Sequence, residues 1–355
     1  MTKATASVAP TANTAPSEEP KGAVLGDCTT SGEARTIAPR AQISSGIEAH
    51  ALGGGLALGF AATPRDAVAT TLDPVSLAPT ATVRTRPVGG DARRVTPLLA
   101  NGKLTAMPDV ERKGDPISAR RVVPTNVLMD VGFTEGAIVW SPHGRDSSAK
   151  LFSVDGDGPI EALRAIALTD RKGLAIAFRR GPAVFVGVAK GDGMLEPDGE
   201  LARIPGLGQV GSPAIAQSGD RIIVAWADRA GGDDDWAIRW TRVKIGQQAE
   251  PTRSFAVPDG GLGGPTMSPS VASLGGGRFL LAWAEGPVSN HQVRALTIGA
   301  EGTPSGSALA ISTSGANAGQ PSAVIGADGR GTVAFLTAKG KLLELQATPI
   351  HCPAR

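Results

Sequence analysis

The sequence predicts an all-β fold made of repeated four-stranded antiparallel sheets, and three observations lead to this prediction. A three-residue segment of an apolar, a small and an aromatic residue recurs along the chain, with copies that end at Phe60, Met107 (the weakest copy), Trp140, Phe178, Trp226, Trp283 and Phe335. The copies end 33–57 residues apart, a spacing typical of repeat folds built from short strands. No part of the sequence has the apolar periodicity of a long amphipathic helix.

Each clear repeat unit contains four short apolar runs separated by turn-forming residues. Before Trp226, the run 212–216 is followed by Gly219-Asp220 and a second apolar run, which predicts a β-hairpin. Third and fourth strands are expected over 236–243 and 253–257. The next unit repeats this pattern without a gap in the third strand, so that Arg294 aligns with Arg239.

A four-stranded sheet cannot bury both faces alone, so successive sheets are expected to pack face to face around an axis. The repeated aromatic residues, including Trp140, Trp226 and Trp283, are then expected in the core between neighbouring sheets. The small residues beside them allow the sheets to approach closely.

With these repeats, the chain resembles a seven-bladed β-propeller, in particular the uncharacterised exported propellers of bacteria. The resemblance rests on a Ser-Pro-x-(Ile/Val)-Ala segment followed by (Val/Leu)-Ala-Trp-Ala-(Asp/Glu), as in 212–228 and 268–285, and it extends over about residues 34–352. It implies seven blades of four antiparallel strands and implies no activity. The last unit lacks a fourth strand, and residues 34–39 resemble the fourth strands of other units. We therefore expect an N-terminal strand to pair with 342–350 and to close the ring.

The chain is expected to form one propeller domain, 28–355, after a flexible tail, 1–27. The tail is rich in Ala, Thr, Ser and Pro and has too few large apolar residues to fold. It lacks the apolar stretch of about 7–15 residues found in a signal peptide. An export signal was therefore removed or the protein is not exported by that route. Its composition is also typical of a tether to a surface.

The two cysteines, Cys28 and Cys352, lie at opposite ends of the predicted domain, next to the strands that would form the closing blade. We predict a disulfide between them, which indicates an oxidising location: periplasm, cell surface or extracellular space. The alternative is two unrelated buried thiols.

Several partner and cofactor classes are not expected. The net charge is +2 and no basic stripe with interleaved aromatic residues occurs, so we expect no nucleic acid. No apolar run reaches the roughly 18 residues of a transmembrane segment. The acidic segments 155–158 and 233–235 are interpreted as turns, and the four histidines lack metal-ligand spacing, so no metal and no cofactor are predicted. The absence of Tyr excludes the tyrosine nucleophile of sialidase propellers. We expect a monomer.

The candidate site is the face that carries the connections between second and third strands and between blades. Polar residues collect in these loops, and the predicted binding residues are His143, Arg145, Asp228, Glu285, His291 and Asn317. Their mixed charge suits a polar partner, a protein or a glycan. Because no paired catalytic motif is evident, the sequence predicts a non-catalytic binding propeller, exported and tethered to a surface.

The alternative is a hydrolase or lyase on the same face. In it, His143 or His291 would act with Asp228 or Glu285 as general base and acid. A histidine and a carboxylate within hydrogen-bond distance near the axis would favour this alternative.

Overall fold

The computed structural model describes residues 28–352 except 44–45, 53, 88–90, 111–118, 123–127, 135, 144–147, 157, 169–172, 192–193, 233, 246 and 255–264, and only the backbone of 93, 110 and 119–122. The predicted tail, 1–27, and Arg145 lie outside these residues. The described residues form antiparallel strands and contain no helix. In this part of the chain, no helix is long and apolar enough to cross a membrane.

The strands form seven sheets within the described residues. Two N-terminal strands, β1 (Thr29–Thr30) and β2 (Arg35–Ala41), precede the first sheet of β3 (Glu48–Leu52), β4 (Gly55–Thr63), β5 (Asp66–Leu72) and β6 (Pro79–Thr85). The second sheet has β7 (Ala92–Ala100) and β8 (Lys103–Val110). The third has β9 (Ala119–Val122), β10 (Leu128–Thr134), β11 (Ala137–Pro142) and β12 (Ala149–Ser153).

The remaining sheets follow in chain order. The fourth has β13 (Ile160–Ala167), β14 (Gly173–Arg180), β15 (Ala183–Lys190), β16 (Glu196–Pro197) and β17 (Ala202–Pro205). The fifth has β18 (Gln209–Val210), β19 (Ala214–Ser218), β20 (Arg221–Arg229), β21 (Ala237–Lys244) and β22 (Arg253–Ser254). The sixth has β23 (Thr266–Gly275), β24 (Arg278–Glu285), β25 (Gln292–Ile298) and β26 (Pro304–Ala310). The seventh has β27 (Ala318–Ile325), β28 (Arg330–Lys339) and β29 (Leu342–His351), onto which β1 and β2 pair.

One strand of each sheet is next to the corresponding strand of the following sheet, and these seven strands are called here the inner strands. The strand that follows each of them in the chain is the second strand of its sheet. The inner strands follow one another in the order β3, β7, β9, β13, β19, β23 and β27, and β27 is again next to β3. We call the loop-rich end the end at which the inner strands begin and the second strands finish. Because strand direction alternates, the connections between second and third strands lie at this end.

The N-terminal strands complete the seventh sheet. In β2, Arg35 lies opposite Ala347 and Thr36 opposite Gln346, so the predicted pairing of this strand with β29 is confirmed. The predicted Cys28–Cys352 disulfide is present, with the Cα atoms 4.0 Å apart. It joins residues 324 positions apart in the sequence.

The core lies between sheets, and each cluster of buried residues joins neighbouring ones. Trp226 packs with Ala177 and Val186 of the fourth sheet, and Trp283 packs in one cluster with Ala225 of the fifth sheet and Phe335 of the seventh. A further cluster joins the first sheet to the seventh. The prediction that the repeated aromatic residues form the core between sheets is confirmed at these positions.

The third sheet differs from the sequence prediction in its assignment of strands. Trp140 ends a copy of the repeated segment, which in the fifth and sixth sheets lies in the second strand, but Trp140 lies in β11, the third strand of its sheet. The short strand β9 pairs with β10 and supplies the inner strand, so Val131-Gly132-Phe133 of β10 takes the repeat position. Trp140 is nevertheless buried, in a cluster shared with Phe178 of the fourth sheet.

Candidate active site

The structure brings four of the predicted binding residues to the loop-rich end. Asp228 and Glu285 lie at the ends of the second strands β20 and β24, and His291 directly precedes the third strand β25. Asn317 directly precedes the inner strand β27. His143, in contrast, follows the third strand β11, which ends at the opposite end of its sheet. The predicted group is therefore divided between the two ends of the molecule.

Asp228 is buried, with 1% of its surface exposed. Two neighbours donate hydrogen bonds to its carboxylate and compensate for the loss of water. The indole Nε1 of Trp226 donates to its Oδ2 over 3.4 Å, and the backbone N of Leu207 donates to its Oδ1 over 3.0 Å. The Nε of Arg239, which lies opposite Trp226 on β21, is 3.6 Å from Oδ2. This carboxylate ties two strands and a loop together and is not available at the surface.

Glu285 has the same environment one sheet further on, and none of its surface is exposed. The Nε1 of Trp283 donates to its Oε2 over 3.0 Å, and Arg294 Nη1 lies 3.2 Å from its Oε1. Arg294 also donates from Nη2 to the backbone O of Ala308 over 2.8 Å. The expectation that Asp228 and Glu285 are surface acids is wrong, because each is a buried carboxylate in a trio with an indole and a guanidinium.

His291 and Asn317 remain partly accessible and contact each other. The backbone N of His291 donates to Asn317 Oδ1 over 3.4 Å, and its backbone O accepts from Ala318 N over 2.8 Å. These bonds connect the sixth sheet to the seventh at the loop-rich end.

His143 forms a histidine–carboxylate pair of its own. Its Nδ1 lies 2.8 Å from Oδ2 of Asp130, and the two side chains are 33% and 24% exposed. Both residues are on the β10–β11 hairpin, toward the end opposite the loop-rich end. This pair is therefore remote from Asp228, Glu285 and His291.

A second histidine–carboxylate pair lies at the loop-rich end on the first inner strand. The Nε2 of His50 is 3.3 Å from Oε2 of Glu48, and the side chains are 29% and 10% exposed. Glu48 is the first residue of β3. Alternate residues of a strand point to the same face, so the spacing of two places both side chains on one face.

The next inner strand, β7, holds the Glu48 carboxylate in place. The Nε of Arg94 lies 3.0 Å from Glu48 Oε1, and Thr96 Oγ1 donates to Oε2 over 3.5 Å. Asp109 lies opposite Arg94 on β8 and is 8% exposed. Two acids, a guanidinium, a hydroxyl and an imidazole therefore converge between the first and second sheets.

Gly59 explains how closely these two sheets approach. It lies opposite Glu48 on β4, at the small position of the repeated segment, where most other copies have alanine. A Cβ at this position would be 2.0 Å from the backbone O of Val95 on β7. Glycine at position 59 therefore permits the approach of β7 that brings Arg94 and Thr96 to Glu48.

Sequence reasoning missed this site, because Glu48 and Arg94 lie far apart in sequence, in the units where the repeat is faint. One local signal was present. Glu48-Ala49-His50 places an acid and a histidine two residues apart, the spacing of one strand face.

No protein-family model matches the chain, and no curated protein sequence matches it either. Solved structures with a similar fold include a protein of unknown function from Dyadobacter fermentans DSM 18053, with 11% identity, 90% of this chain and 99% of that chain covered, and a TM-score of 0.50. A Penicillium chrysogenum α-L-arabinanase complexed with arabinobiose has 12% identity, with 64% of this chain and 80% of that chain covered and a TM-score of 0.41.

A mutant Trypanosoma rangeli sialidase displaying trans-sialidase activity has 10% identity, with 89% of this chain and 58% of that chain covered and a TM-score of 0.46. The described part of the chain is all-β, and its antiparallel sheets with neighbouring inner strands are consistent with a β-propeller fold. At these identities the similarity shows the fold alone.

The prediction of a non-catalytic binding propeller is wrong. Most of the solved structures with a similar fold are enzymes. Besides the arabinanase and the sialidase, they include an α-L-arabinofuranosidase from Fusarium graminearum. The activity itself has to be argued from this chain's own residues.

Proposed function

We propose that the protein is a hydrolase or lyase that uses His50 as its proton acceptor at the loop-rich end. The observation that carries this proposal is the contact of 3.3 Å between His50 Nε2 and Glu48 Oε2, on an inner strand and next to Arg94. The pairs suggested by the sequence, His143 or His291 with Asp228 or Glu285, do not support it, because both acids are buried in trios with tryptophan and arginine.

The hydrogen bond sets the tautomer of His50. An ionised carboxylate can only accept, so Nε2 carries the proton that is donated to Glu48. Nδ1 then holds the lone pair and is the ring atom able to take a proton. Because the side chain is 29% exposed, a substrate can reach it.

Glu48 is the positioning residue of the pair. Arg94 binds Oε1 and Thr96 donates to Oε2, so the carboxylate is fixed where Oε2 contacts His50 and orients the imidazole. The carboxylate also stabilises the imidazolium that forms when Nδ1 takes a proton.

The chemistry follows from this single acceptor. In hydrolysis, a water molecule loses a proton to Nδ1 while its oxygen bonds to the carbon under attack. The bond to the leaving group then breaks, and the imidazolium returns the proton to the leaving group. In a lyase, Nδ1 removes a proton from carbon, the electrons of the C–H bond form a double bond to the neighbouring carbon, and the leaving group departs with the electron pair of its own bond and takes the proton from the imidazolium.

We also propose that the seven sheets are the blades of one ring closed by β2. The run of inner-strand contacts that returns from β27 to β3 supports it, as does the pairing of β2 with β29. The disulfide supports export to an oxidising compartment. A monomer with a tethering tail, 1–27, remains a prediction.

The test is turnover on a panel of p-nitrophenyl glycosides, simple lactones and uronate polymers. General acid–base groups typically contribute about 10²–10⁴-fold to rate, so His50→Ala should lower kcat by that factor. Glu48→Gln should lower kcat less and shift the pH profile, since it alters the orientation and basicity of His50.

The matched controls are His143→Ala and Asp130→Asn, which remove the same chemistry at the opposite end. Both should keep full activity. Turnover that is lost in the controls and kept in His50→Ala would overturn the proposal, as would a pH profile that Glu48→Gln leaves unchanged.

A further inference from the structure

We infer that the Cys28–Cys352 disulfide is a redox gate for the His50 site, so that the site is assembled only in the oxidised chain. The inference rests on the proposed function for its catalytic readout alone, since assembly of the Glu48–His50 pair is also measured without a substrate. It adds regulation to the proposed hydrolase or lyase, which would be inactive wherever cytosolic thiols keep the cysteines reduced.

The bond holds a segment that has little packing of its own. We call residues 28–43 the strap; it contains β1 and β2, which lie along the free edge of β29. Both residues of β1 are exposed. Of the seven residues of β2, only Ala41 is buried, and the pairing with β29 shifts register twice. Burial of apolar surface therefore contributes little to docking of the strap, and the covalent bond at Cys28 keeps it in place.

The strap runs from one end of the molecule to the other. Cys28 is bonded to the residue that follows β29, at the end opposite the loop-rich end. β2 then runs antiparallel to β29, so that Ala41 lies near the start of β29, at the loop-rich end. Glu48, the first residue of β3, follows seven positions later. The strap thus connects the disulfide to the strand that carries both Glu48 and His50.

Contacts with the first sheet link the strap to the catalytic pair. Ala41 packs in the buried cluster that joins the first and seventh sheets. The backbone N of Gln42 donates to the backbone O of Ala61 on β4 over 2.8 Å. Ala61 is two residues beyond Gly59, the glycine opposite Glu48. Because the ion pair of Glu48 with β7 depends on the close approach at Gly59, loss of the strap contacts loosens the catalytic pair.

Burial of the cysteines makes the gate act in one direction. Cys28 and Cys352 are 1% and 3% exposed and belong to the core cluster of the fifth, sixth and seventh sheets. The Oγ1 of Thr297 on the sixth sheet lies 3.6 Å from Cys28 Sγ. Thiol–disulfide exchange requires that a thiolate reach one of the sulfurs, so the folded oxidised protein resists small thiols. The bond forms while the strap is open and is covered when the strap docks.

The oxidation step is a two-electron exchange with a disulfide oxidant such as oxidised glutathione. The Cys28 thiolate, formed by loss of a proton, attacks one sulfur of the oxidant, forms a mixed disulfide and releases a thiolate. The Cys352 thiolate then attacks Cys28 Sγ, forms the protein disulfide and releases the second thiolate. The cysteines lose two protons and two electrons, and the oxidant is reduced to two thiols.

The experiment compares the oxidised protein with the double variant Cys28→Ser, Cys352→Ser, which cannot form the bond. Hydrogen-exchange mass spectrometry follows peptides of the strap and of β3, and imidazole ¹H–¹³C NMR follows His50 and His143. In the double variant the strap should exchange about tenfold faster or more, because the bond no longer limits its opening. The His50 signal should shift and the His143 signal should not. On the substrate panel, kcat should fall about 10²-fold, the effect of a displacement of about 1 Å at a catalytic group.

A second variant tests the route through the strap and keeps the bond. Gln42→Pro removes the N–H that donates to Ala61 and leaves both cysteines in place. It should shift the His50 signal in the same direction as the double serine variant and lower kcat less. Gln42→Ala, which keeps the N–H, is the matched control and should match the native protein in both measurements.

Alkylation tests the direction of the gate. Folded oxidised protein that is incubated with reduced glutathione and then with iodoacetamide should gain no label. After the same treatment in urea it should gain one label at each cysteine of the bond. Labelling of the folded protein would overturn the one-way action.

The outcomes separate the gate from the proposed function. Native exchange in the strap and a native His50 signal in the double serine variant overturn the gate, even if His50-dependent turnover is found. Faster exchange and a shifted His50 signal, with no turnover by the native protein, support assembly of the pair by the bond and overturn the hydrolase or lyase. Should the double variant fail to fold, a Gln42→Pro variant with native His50 signal and full activity overturns the gate.

Discussion

The fifth and sixth sheets have tryptophan at the end of the repeated segment, whereas the first and seventh have phenylalanine. Two further positions differ together with this aromatic residue. Trp226 and Trp283 have Asp228 and Glu285 two positions later, and Arg239 and Arg294 opposite them. The first and seventh sheets have phenylalanine instead. Phe60 lies opposite Val68 and has Ala62 two positions later. Phe335 lies opposite Gln346 and has Thr337 two positions later. At these repeat positions of the four sheets, the carboxylate and the opposite arginine occur only together with tryptophan.

The physical reason is the indole N–H. When tryptophan is fully buried, this donor needs an acceptor, and a carboxylate two residues along the strand is on the same face. A buried carboxylate in turn needs a cation, which the opposite strand supplies as arginine. Phenylalanine has no such donor, so neither charge is required. In the fifth and sixth sheets the acceptor is a carboxylate, whereas the buried indole of Trp240 donates to the backbone O of Gly302.

The largest expected effect comes from breaking the sixth-sheet trio. Glu285→Ala should lower the free energy of unfolding by about 3–5 kcal/mol, since Arg294 would remain buried without its ion pair. Urea unfolding measures this. The control is Asp66→Ala, which removes a surface ion pair with Arg84 and should cost less than about 1 kcal/mol. Equal losses of unfolding free energy in Glu285→Ala and Asp66→Ala would contradict the idea that burial of the ion pair determines the cost.

The fifth-sheet trio should be more tolerant. Asp228→Ala is expected to cost about 1–3 kcal/mol, the penalty for leaving buried hydrogen-bond donors unsatisfied. The side chain of Arg239 is 27% exposed, against 4% for Arg294, so water can solvate its guanidinium after the acid is removed. The same urea series checks the order. A greater loss for Asp228→Ala than for Glu285→Ala would show that exposure of the arginine does not determine the cost.

The trio should be replaceable as a unit. The triple variant Trp283→Phe, Glu285→Thr, Arg294→Gln gives the sixth sheet the residues of the seventh. Because replacing a whole buried ion pair is often close to neutral, it should lie within about 2 kcal/mol of the native protein and be more stable than Glu285→Ala. Additive loss from the three single variants would contradict the trio as a unit.

The smallest effect is expected at a partly exposed carboxylate next to a strand of the first sheet, which has phenylalanine at the repeat position. Hydrogen bonds to Asp73, first from the backbone N of Ser76, then from its hydroxyl and from Val75 N, lower the pKa of this carboxyl. A folded-state pKa below the unfolded value stabilises the fold above the unfolded pKa, and the contribution is lost as pH falls through the folded pKa. Asp73→Asn should therefore slightly flatten the fall of Tm in acid. An identical acid profile in the two proteins would contradict this.

The sequence predicted the later sheets better than the earlier ones, for a physical reason. In the sixth and seventh units, a proline, a glycine turn and an aromatic residue repeat at nearly constant spacing, so each strand has its own signal. In the third sheet the spacing differs, and Trp140 was assigned to the wrong strand. Burial of Asp228 and Glu285 was missed because charge alone suggests exposure. The alignment of Arg239 with Arg294, opposite two tryptophans, was the available signal.

The candidate site was less predictable than the fold. It depends on Glu48 and Arg94 meeting across two inner strands, a contact that no local pattern encodes. His50 alone is consistent with a solvated loop or a core position. The approach of β7 over Gly59 brings the guanidinium of Arg94 to the acid–histidine pair on β3.

The Cys28–Cys352 bond also determines what happens when the chain is cut. Both sulfurs are buried, and the bond closes a loop over nearly the whole described chain. A protease that cuts one exposed loop inside that loop yields two pieces that stay covalently joined and keep their strand partners. Such a nicked molecule would migrate as one full-mass band without reductant and as two bands with it. The protein can therefore persist after a single cleavage, which suits a location where proteases are common.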